Sequence, residues 1–208
     1  MHLEALTSNA KNLWLKLGNF PDFVLAGGTA LALQIGHRKS VDFNFFSDKK
    51  IKRALLKKVE RVFKNEKIEI LVNNPEELSL IIGSTQITFL EYPFHNITKP
   101  KIFEGVKIMS ILDIAASKAY TMGRRATYKD YVDVYFILFK KYCSLAQIMK
   151  TAEKKYGGAS FIFNSRLFLE QLLYLKDVEP APITFLGKSV SPDTVENFFR
   201  QEIKKLKF

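Results

Sequence analysis

Phe23-Val24-Leu25-Ala26-Gly27-Gly28-Thr29-Ala30-Leu31, followed by Ser40-Val41-Asp42-Phe43-Asn44-Phe45-Phe46, decides how this chain reads. Phe23 to Ala26 is short and apolar, the pattern of a buried strand. Gly27 and Gly28 allow a sharp turn and a close approach by another group. Thr29 to Gln34 are good helix formers, and Gly36 can stop the helix. N–H groups at the start of a helix have no partner within it, so an anion fits there. The second run puts Asp42 and Asn44 on one face of a strand, because residues i and i+2 share a face. Val41, Phe43 and Phe45 then point the other way, toward a core. An anion cradle followed by a polar pair on one strand face suits a nucleotide held with a metal.

Working outward, composition bounds the possibilities. The length of 208 residues suits one domain or a compact pair. No run approaches the roughly 18 apolar residues of a membrane span. The first twenty residues carry polar groups throughout, so no secretory signal is expected. Cys143 is the one cysteine, which excludes a disulfide framework within the chain and a cysteine-rich zinc site. These features predict a cytoplasmic protein with no membrane partner. Lys and Arg total 32 against 21 Asp and Glu, a formal charge of +11, which favours a polyanion such as nucleic acid. No Walker P-loop occurs, and His2, His37 and His95 lack zinc spacing.

The remaining periodicities predict an α+β fold: a mixed sheet of about five strands packed with helices, followed by a helical C-terminal part. Met1 to Leu17 reads as an amphipathic helix ended by Gly18. Lys49 to Asn65 reads as a strongly basic helix capped by Ser47 or Asp48. Strands are expected at Ile68–Val72, Ser79–Ile82 and Thr85–Glu91; in the last, Ile87 and Phe89 face one side and Gln86 and Thr88 the other. Helices are expected from Ser110 to Arg124, Tyr128 to Lys141, Leu145 to Tyr156 and Arg166 to Lys176, with a loop at Pro180–Pro182. A last helix is expected from the Ser191 cap to Lys207. The change from sheet to helix near Ser110 divides residues 1–109 from 110–208, though the two parts can share one core.

Gly27-Gly28-Thr29-Ala30-Leu31-Ala32-Leu33, with His37-Arg38-x-Ser40-x-Asp42-Phe43-x-Phe45-Phe46, resembles the AbiEii/AbiGii toxin family of nucleotidyltransferases. In that family the segment is the glycine turn and Asp-x-Asp signature of the polymerase-beta-like nucleotidyltransferase fold. Asp113-Ile114-Ala115-Ala116-x-Lys118-Ala119 and Arg124-Arg125-x4-Asp130-Tyr131-x-Asp133-Val134-Tyr135 match further on, in the family's order. The resemblance implies a toxin of a toxin–antitoxin or phage-defence pair. Such a toxin moves a nucleotide from a nucleoside triphosphate onto an acceptor such as tRNA, with an antitoxin protein as partner.

Each residue then has a chemical role to fill. Mg²⁺ takes one or two protein carboxylates plus substrate phosphates. Asp42 supplies one carboxylate; Asn44 stands where the family has a second aspartate and offers an amide oxygen without charge. A third family carboxylate position falls on Thr88, which is not acidic. The resemblance implies that Gly27, Gly28 and Thr29 cradle phosphate and that Lys118 contacts the triphosphate. Arg38 suits either a forked phosphate contact or an acidic neighbour. Lys118 lies in an apolar helical stripe, where a cation needs a partner or a path to solvent. Asp130 aligns with a catalytic aspartate, or caps its helix. Asp133 is expected to pair with Arg124, Arg125 or Lys129. The rival reading is a degenerate member that binds nucleotide or RNA and has lost the chemistry, with Asn44 and Thr88 as its basis.

Overall fold

The structure is a computed structural model. It describes residues 1–122, 124, 126–158, 163–175, 178 and 181–206. Arg125, Lys176, Pro180 and Lys207, which enter the expectations above, lie outside the described residues. The chain forms two compact units: residues 1–95 with 99–109, and residues 96–98 with 110–208.

In the first unit, α1 (Ser8–Leu17), β1 (Val24–Ala26), α2 (Gly27–Ile35), β2 (Asp42–Ser47) and α3 (Ala54–Val62) precede five further strands. These are β3 (Ile68–Asn73), β4 (Glu77–Ile82), β5 (Thr85–Glu91), β6 (Lys101–Phe103) and β7 (Val106–Ile108). Among the described residues the sheet has seven strands, ordered β3-β4-β5-β2-β1-β7-β6. It is mixed: β2 runs parallel to β5 and β1 parallel to β7, while the other pairs are antiparallel. The predicted α+β class holds, but five strands were expected. The two extra ones form a hairpin of three-residue strands, too short for alternation to reveal. It is closed by Glu104 (φ 48°) and Gly105 (φ 81°), both left-handed as a two-residue hairpin turn requires.

One face of this sheet carries Phe43, Phe45, Ile87 and Phe89, all buried. Trp14 of α1 lies 6.1 Å from Phe43, and Phe20 lies 5.0 Å from Phe89 and 6.2 Å from Phe63, which follows α3. Helices α1 and α3 therefore cover the aromatic face. The expected alternation along β5 is present, with Gln86 exposed and Thr88 half-buried opposite that core.

Several boundaries move, each for a local reason. The long N-terminal helix is interrupted: Leu3–Ala5 is one 3-10 turn, Leu6 bridges Ser40, and α1 starts only after Thr7, whose Oγ1 accepts from Ala10 N–H. The basic helix is shorter than expected because Ile51 N–H donates to the Pro75 carbonyl at 2.7 Å, which holds the residues before it as a loop. Neither Ser47 nor Asp48 caps it: Ser47 ends β2, and Arg53 occupies the cap position without a side-chain bond. Val41 precedes β2 and is exposed, not core-facing.

The second unit contains α4 (Ile111–Met122), α5 (Tyr128–Phe139), α6 (Leu145–Tyr156), α7 (Ser165–Gln171) and α8 (Pro192–Lys204). Ser144, Asn164 and Ser191 cap the last three through their side chains. α4 packs on α5, α6 and α7, and α5 on α8. Tyr120 stacks on Tyr156 at 4.0 Å, and Tyr131 lies 6.5 Å from Phe199.

A charged cluster organises this interior. Asp113 is wholly buried and pairs with the equally buried Lys155 at 3.0 Å. It also accepts from Ile97 N–H, Thr98 N–H and the Thr98 and Ser110 hydroxyls. Burial alone raises a carboxyl, but these donors and the Lys155 charge outweigh it and hold Asp113 below its usual range. Burial pushes Lys155 down, against the pull of Asp113.

Removing one partner of a buried pair leaves an uncompensated charge, so Asp113→Asn should cost about 3–5 kcal/mol of unfolding free energy. Because the folded carboxyl is lowered, its contribution is complete above the unfolded value of about 4 and fades as pH falls through the folded value. Denaturant titrations of wild type and Asp113→Asn from pH 7 to pH 3 check both: the gap between the two proteins should narrow toward acid.

Candidate active site

In the first unit the turn from β1 into α2 is built by Gly27. Its φ is +69°, which an L side chain rarely adopts, whereas a Cβ there would make only ordinary contact with the Asn44 side chain, 3.6 Å from Nδ2. The backbone angle, not the space, demands glycine. The cap position of α2 is Ala26, whose side chain can offer nothing, so the first N–H groups of the helix receive no side-chain cap. In the sheet register Ala26 pairs with Asn44. The uncapped helix start therefore leaves the sheet beside the face that carries Asp42 and Asn44.

Thr29 fixes this arrangement. Its buried Oγ1 donates to the Asp42 carbonyl and lies 2.6 Å from Ser40 Oγ. The side chain predicted to cradle phosphate thus ties helix to strand, and what it presents outward is main chain. Asp42 and Asn44 do share a face, and both are half-buried. Asn44 Nδ2 donates to Asp42 Oδ2 at 3.1 Å. Two aspartates at this spacing would repel until a cation came between them; Asn44 removes that repulsion and one unit of negative charge. Asn44 pairs with Thr88 across β5, and Thr88 with Ser79 across β4; the two hydroxyls lie 3.0 Å apart. The row continuing from Asn44 is uncharged.

Arg38 is 5% exposed and donates Nη1 to the Lys39 carbonyl at 3.0 Å. A forked grip on phosphate would require the guanidinium to leave the interior.

In the second unit Lys118 is 9% exposed, and its Nζ contacts two carboxylates, Asp130 at 2.6 Å and Asp133 at 2.7 Å. α5 delivers both from neighbouring turns, because residues three apart share a helix face. The sequence reading expected Asp133 to pair with Arg124, Arg125 or Lys129; Lys118 from α4 is a partner it did not name, and Arg125 lies outside the described residues. Asp133 is wholly buried, so the cation that meets it must be buried as well, as Lys118 is. Asp130 also accepts from Thr127 N–H at 2.9 Å, so it caps α5 while it holds Lys118. Neither pairing is visible from spacing alone, though an apolar stripe containing one lysine signals the need for a partner.

No group of three His, Cys, Asp or Glu residues able to hold a metal occurs among the described residues. Burial pushes the Cys143 thiol up to about 12, which excludes it as a nucleophile near neutral pH. No helix among the described residues is long and apolar enough to cross a membrane.

The sequence model of a family described as "Nucleotidyl transferase AbiEii toxin, Type IV TA system" matches residues 15–205. The chain belongs to this family. An uncharacterized protein of Aquifex aeolicus (strain VF5) is 28% identical over 195 residues, spanning 92% of this chain and 91% of that protein. Among solved structures, MenT4, a nucleotidyltransferase toxin of Mycobacterium tuberculosis, superposes with a TM-score of 0.59 at 13% identity, covering 97% of this chain and 87% of its own. A putative nucleotidyltransferase from H. pylori gives 0.54 at 17% identity, covering 97% and 99%. These structural likenesses show that the chain has the nucleotidyltransferase fold.

Lys118 is as much a structural group as a candidate ligand. Lys118→Met should cost about 3–5 kcal/mol, because it leaves two carboxylates facing each other in a buried site. The double variant Lys118→Met/Asp133→Asn should lose less than the sum of the two single changes, since each removes half of one interaction. Chemical denaturation of the four proteins measures this coupling; additive losses would show that the pair does not act as a unit.

Proposed function

We propose that the chain transfers a nucleotide from a nucleoside triphosphate to an acceptor, and that it does so as the toxin of a toxin–antitoxin pair with an antitoxin protein as partner. The observation that carries this reading is the uncapped start of α2 beside the Asp42–Asn44 face. Main-chain N–H groups of Gly28 and Thr29, freed by the turn at Gly27, hold the phosphates. The family resemblance assigns Lys118 to the triphosphate, and Asp130 and Asp133 hold its side chain within the second unit. Three donors already occupy Asp130, so it orients Lys118 and the acceptor in preference to taking a proton. Positioning and charge neutralisation do most of the work in such transfers. The formal charge of +11 suits an RNA acceptor, tRNA among the candidates.

The donor set fits Mg²⁺: Asp42 offers a carboxylate, and Asn44 an amide oxygen once its amide turns. One or two protein ligands with substrate phosphates are what this ion ordinarily takes. When bound, Mg²⁺ would neutralise charge on the triphosphate oxygens.

The Asn44–Asp42 hydrogen bond also favours a second reading, a pocket that binds nucleotide without turning it over. A unit charge about 4 Å away is worth ~1 kcal/mol in water and ~4 kcal/mol near a protein surface, and twice that for a divalent ion. Restoring the charge in Asn44→Asp should therefore raise metal-dependent activity at least about tenfold. The test incubates total tRNA and Mg²⁺ with each labelled triphosphate and wild type, Asp42→Ala or Asn44→Asp. Label on RNA from the wild type, reduced at least a hundredfold in Asp42→Ala, is the expected result. Label only from Asn44→Asp would favour the second reading. Label from neither would overturn transfer to tRNA.

A further inference from the structure

At the end of the sheet away from Asp42, where β1 begins and β2 finishes, a cavity of about 220 Å³ opens in the first unit. Phe20 and Phe23 form its apolar wall. Ser47 at the end of β2, Lys49, Lys50 and Lys52 from the loop before α3, and Lys58 from α3 itself form the other. Asp22 is the one carboxylate among the lining residues. None of the four lysines makes a salt bridge among the described residues; Lys58 Nζ instead lies 5.5 Å from the centre of the Phe20 ring. Ser47 is 8% exposed, and its Oγ accepts from Lys49 N–H at 3.3 Å, which leaves its own proton without an acceptor among the described residues.

Scattered surface lysines are ordinarily just solvated, but here four converge on a concavity with an aromatic wall. Like charges gathered in this way disfavour one another until an anion arrives. Drug-sized ligand pockets run to roughly 300–1,000 Å³, so this smaller one admits one base or one sugar-phosphate, not a whole triphosphate with its metal. Ser47 is five residues along β2 from Asp42, about 17 Å at strand rise. It shares the face of Phe43 and Phe45, opposite that of Asp42. The cavity is therefore separate from the candidate active site.

We propose that this cavity anchors single-stranded RNA. The lysines and the Ser47 hydroxyl take a phosphate, and the adjoining base packs on Phe23. Phe23 is half-buried and held edge-on against Phe89 at 4.9 Å, so its ring is fixed before any ligand arrives. Aromatic faces beside a basic groove are how single strands are held without sequence preference. A free mononucleotide carries the same phosphate and base, so the test must separate the two. This anchoring goes beyond the transfer reading, and it is measured without triphosphate so that its outcome does not depend on catalysis.

The experiment is fluorescence anisotropy with a labelled twelve-nucleotide single-stranded RNA across a salt series. Wild type is compared with Lys49→Gln/Lys50→Gln/Lys52→Gln and with Lys64→Gln/Lys67→Gln/Lys101→Gln, which removes equal charge from exposed sites elsewhere in the unit. The cavity triple should bind at least tenfold more weakly. Its log K against log salt should be flatter by up to about 2, at roughly 0.7 per lost phosphate contact. The control triple should change less than twofold. Phe23→Leu should weaken binding at least about fivefold with the salt slope unchanged. Equal losses in both triples, or a loss in neither, would overturn the proposal. So would displacement of the RNA by AMP at a concentration matching the RNA affinity, which would make the occupant a free nucleotide. If Phe23→Leu does not fold, the two lysine sets decide alone.

Discussion

One hydroxyl holds the candidate site together. Thr29, in the first turn of α2, donates to the carbonyl of Asp42 at the start of β2. That bond joins a helix whose first N–H groups receive no side-chain cap to the strand that offers a carboxylate. Helix and strand are otherwise linked through the turn at Gly27 and the pairing of Ala26 with Asn44. With all three in place, the start of α2 and the Asp42–Asn44 face keep fixed relative positions. This is the preorganisation that phosphoryl chemistry draws on.

The second unit solves a different problem, that of charge inside an apolar helical bundle. Lys155 meets Asp113, which five protein donors surround, and the pair is fully buried. Lys118 meets two carboxylates and keeps slight exposure. The first arrangement is closed on itself and suits a structural role. The second gathers two negative charges around one positive one, and its Lys118 and Asp130 side chains keep some exposure. Lysines placed alike in an apolar stripe thus differ in what they can still do.

Much of this was legible in the order of residues. The strand–glycine–helix–strand run, the shared face of Asp42 and Asn44, the alternation of β5 and the Ser191 cap all depend on neighbours within a few positions. What escaped depends on distant partners. The break after Ala5 rests on Leu6 bridging Ser40, and the late start of α3 on a bond from Ile51 to Pro75. The β6–β7 hairpin is too short to show a period, and only Glu104-Gly105 hints at it. The union of Lys118 with Asp133 joins two helices, a pairing that spacing along the chain does not show.

The central claim is that Asp42, with Asn44 beside it, forms the metal–triphosphate site. Mn²⁺ can stand in for Mg²⁺ in an electron paramagnetic resonance titration, with and without a non-hydrolysable triphosphate. With one carboxylate, wild type should bind the ion weakly alone and much more tightly once the triphosphate supplies its oxygens. Asn44→Asp should hold the ion without nucleotide, and Asp42→Ala should lose it under both conditions. Binding in Asp42→Ala equal to that of wild type, with triphosphate present, would contradict the assignment of the site.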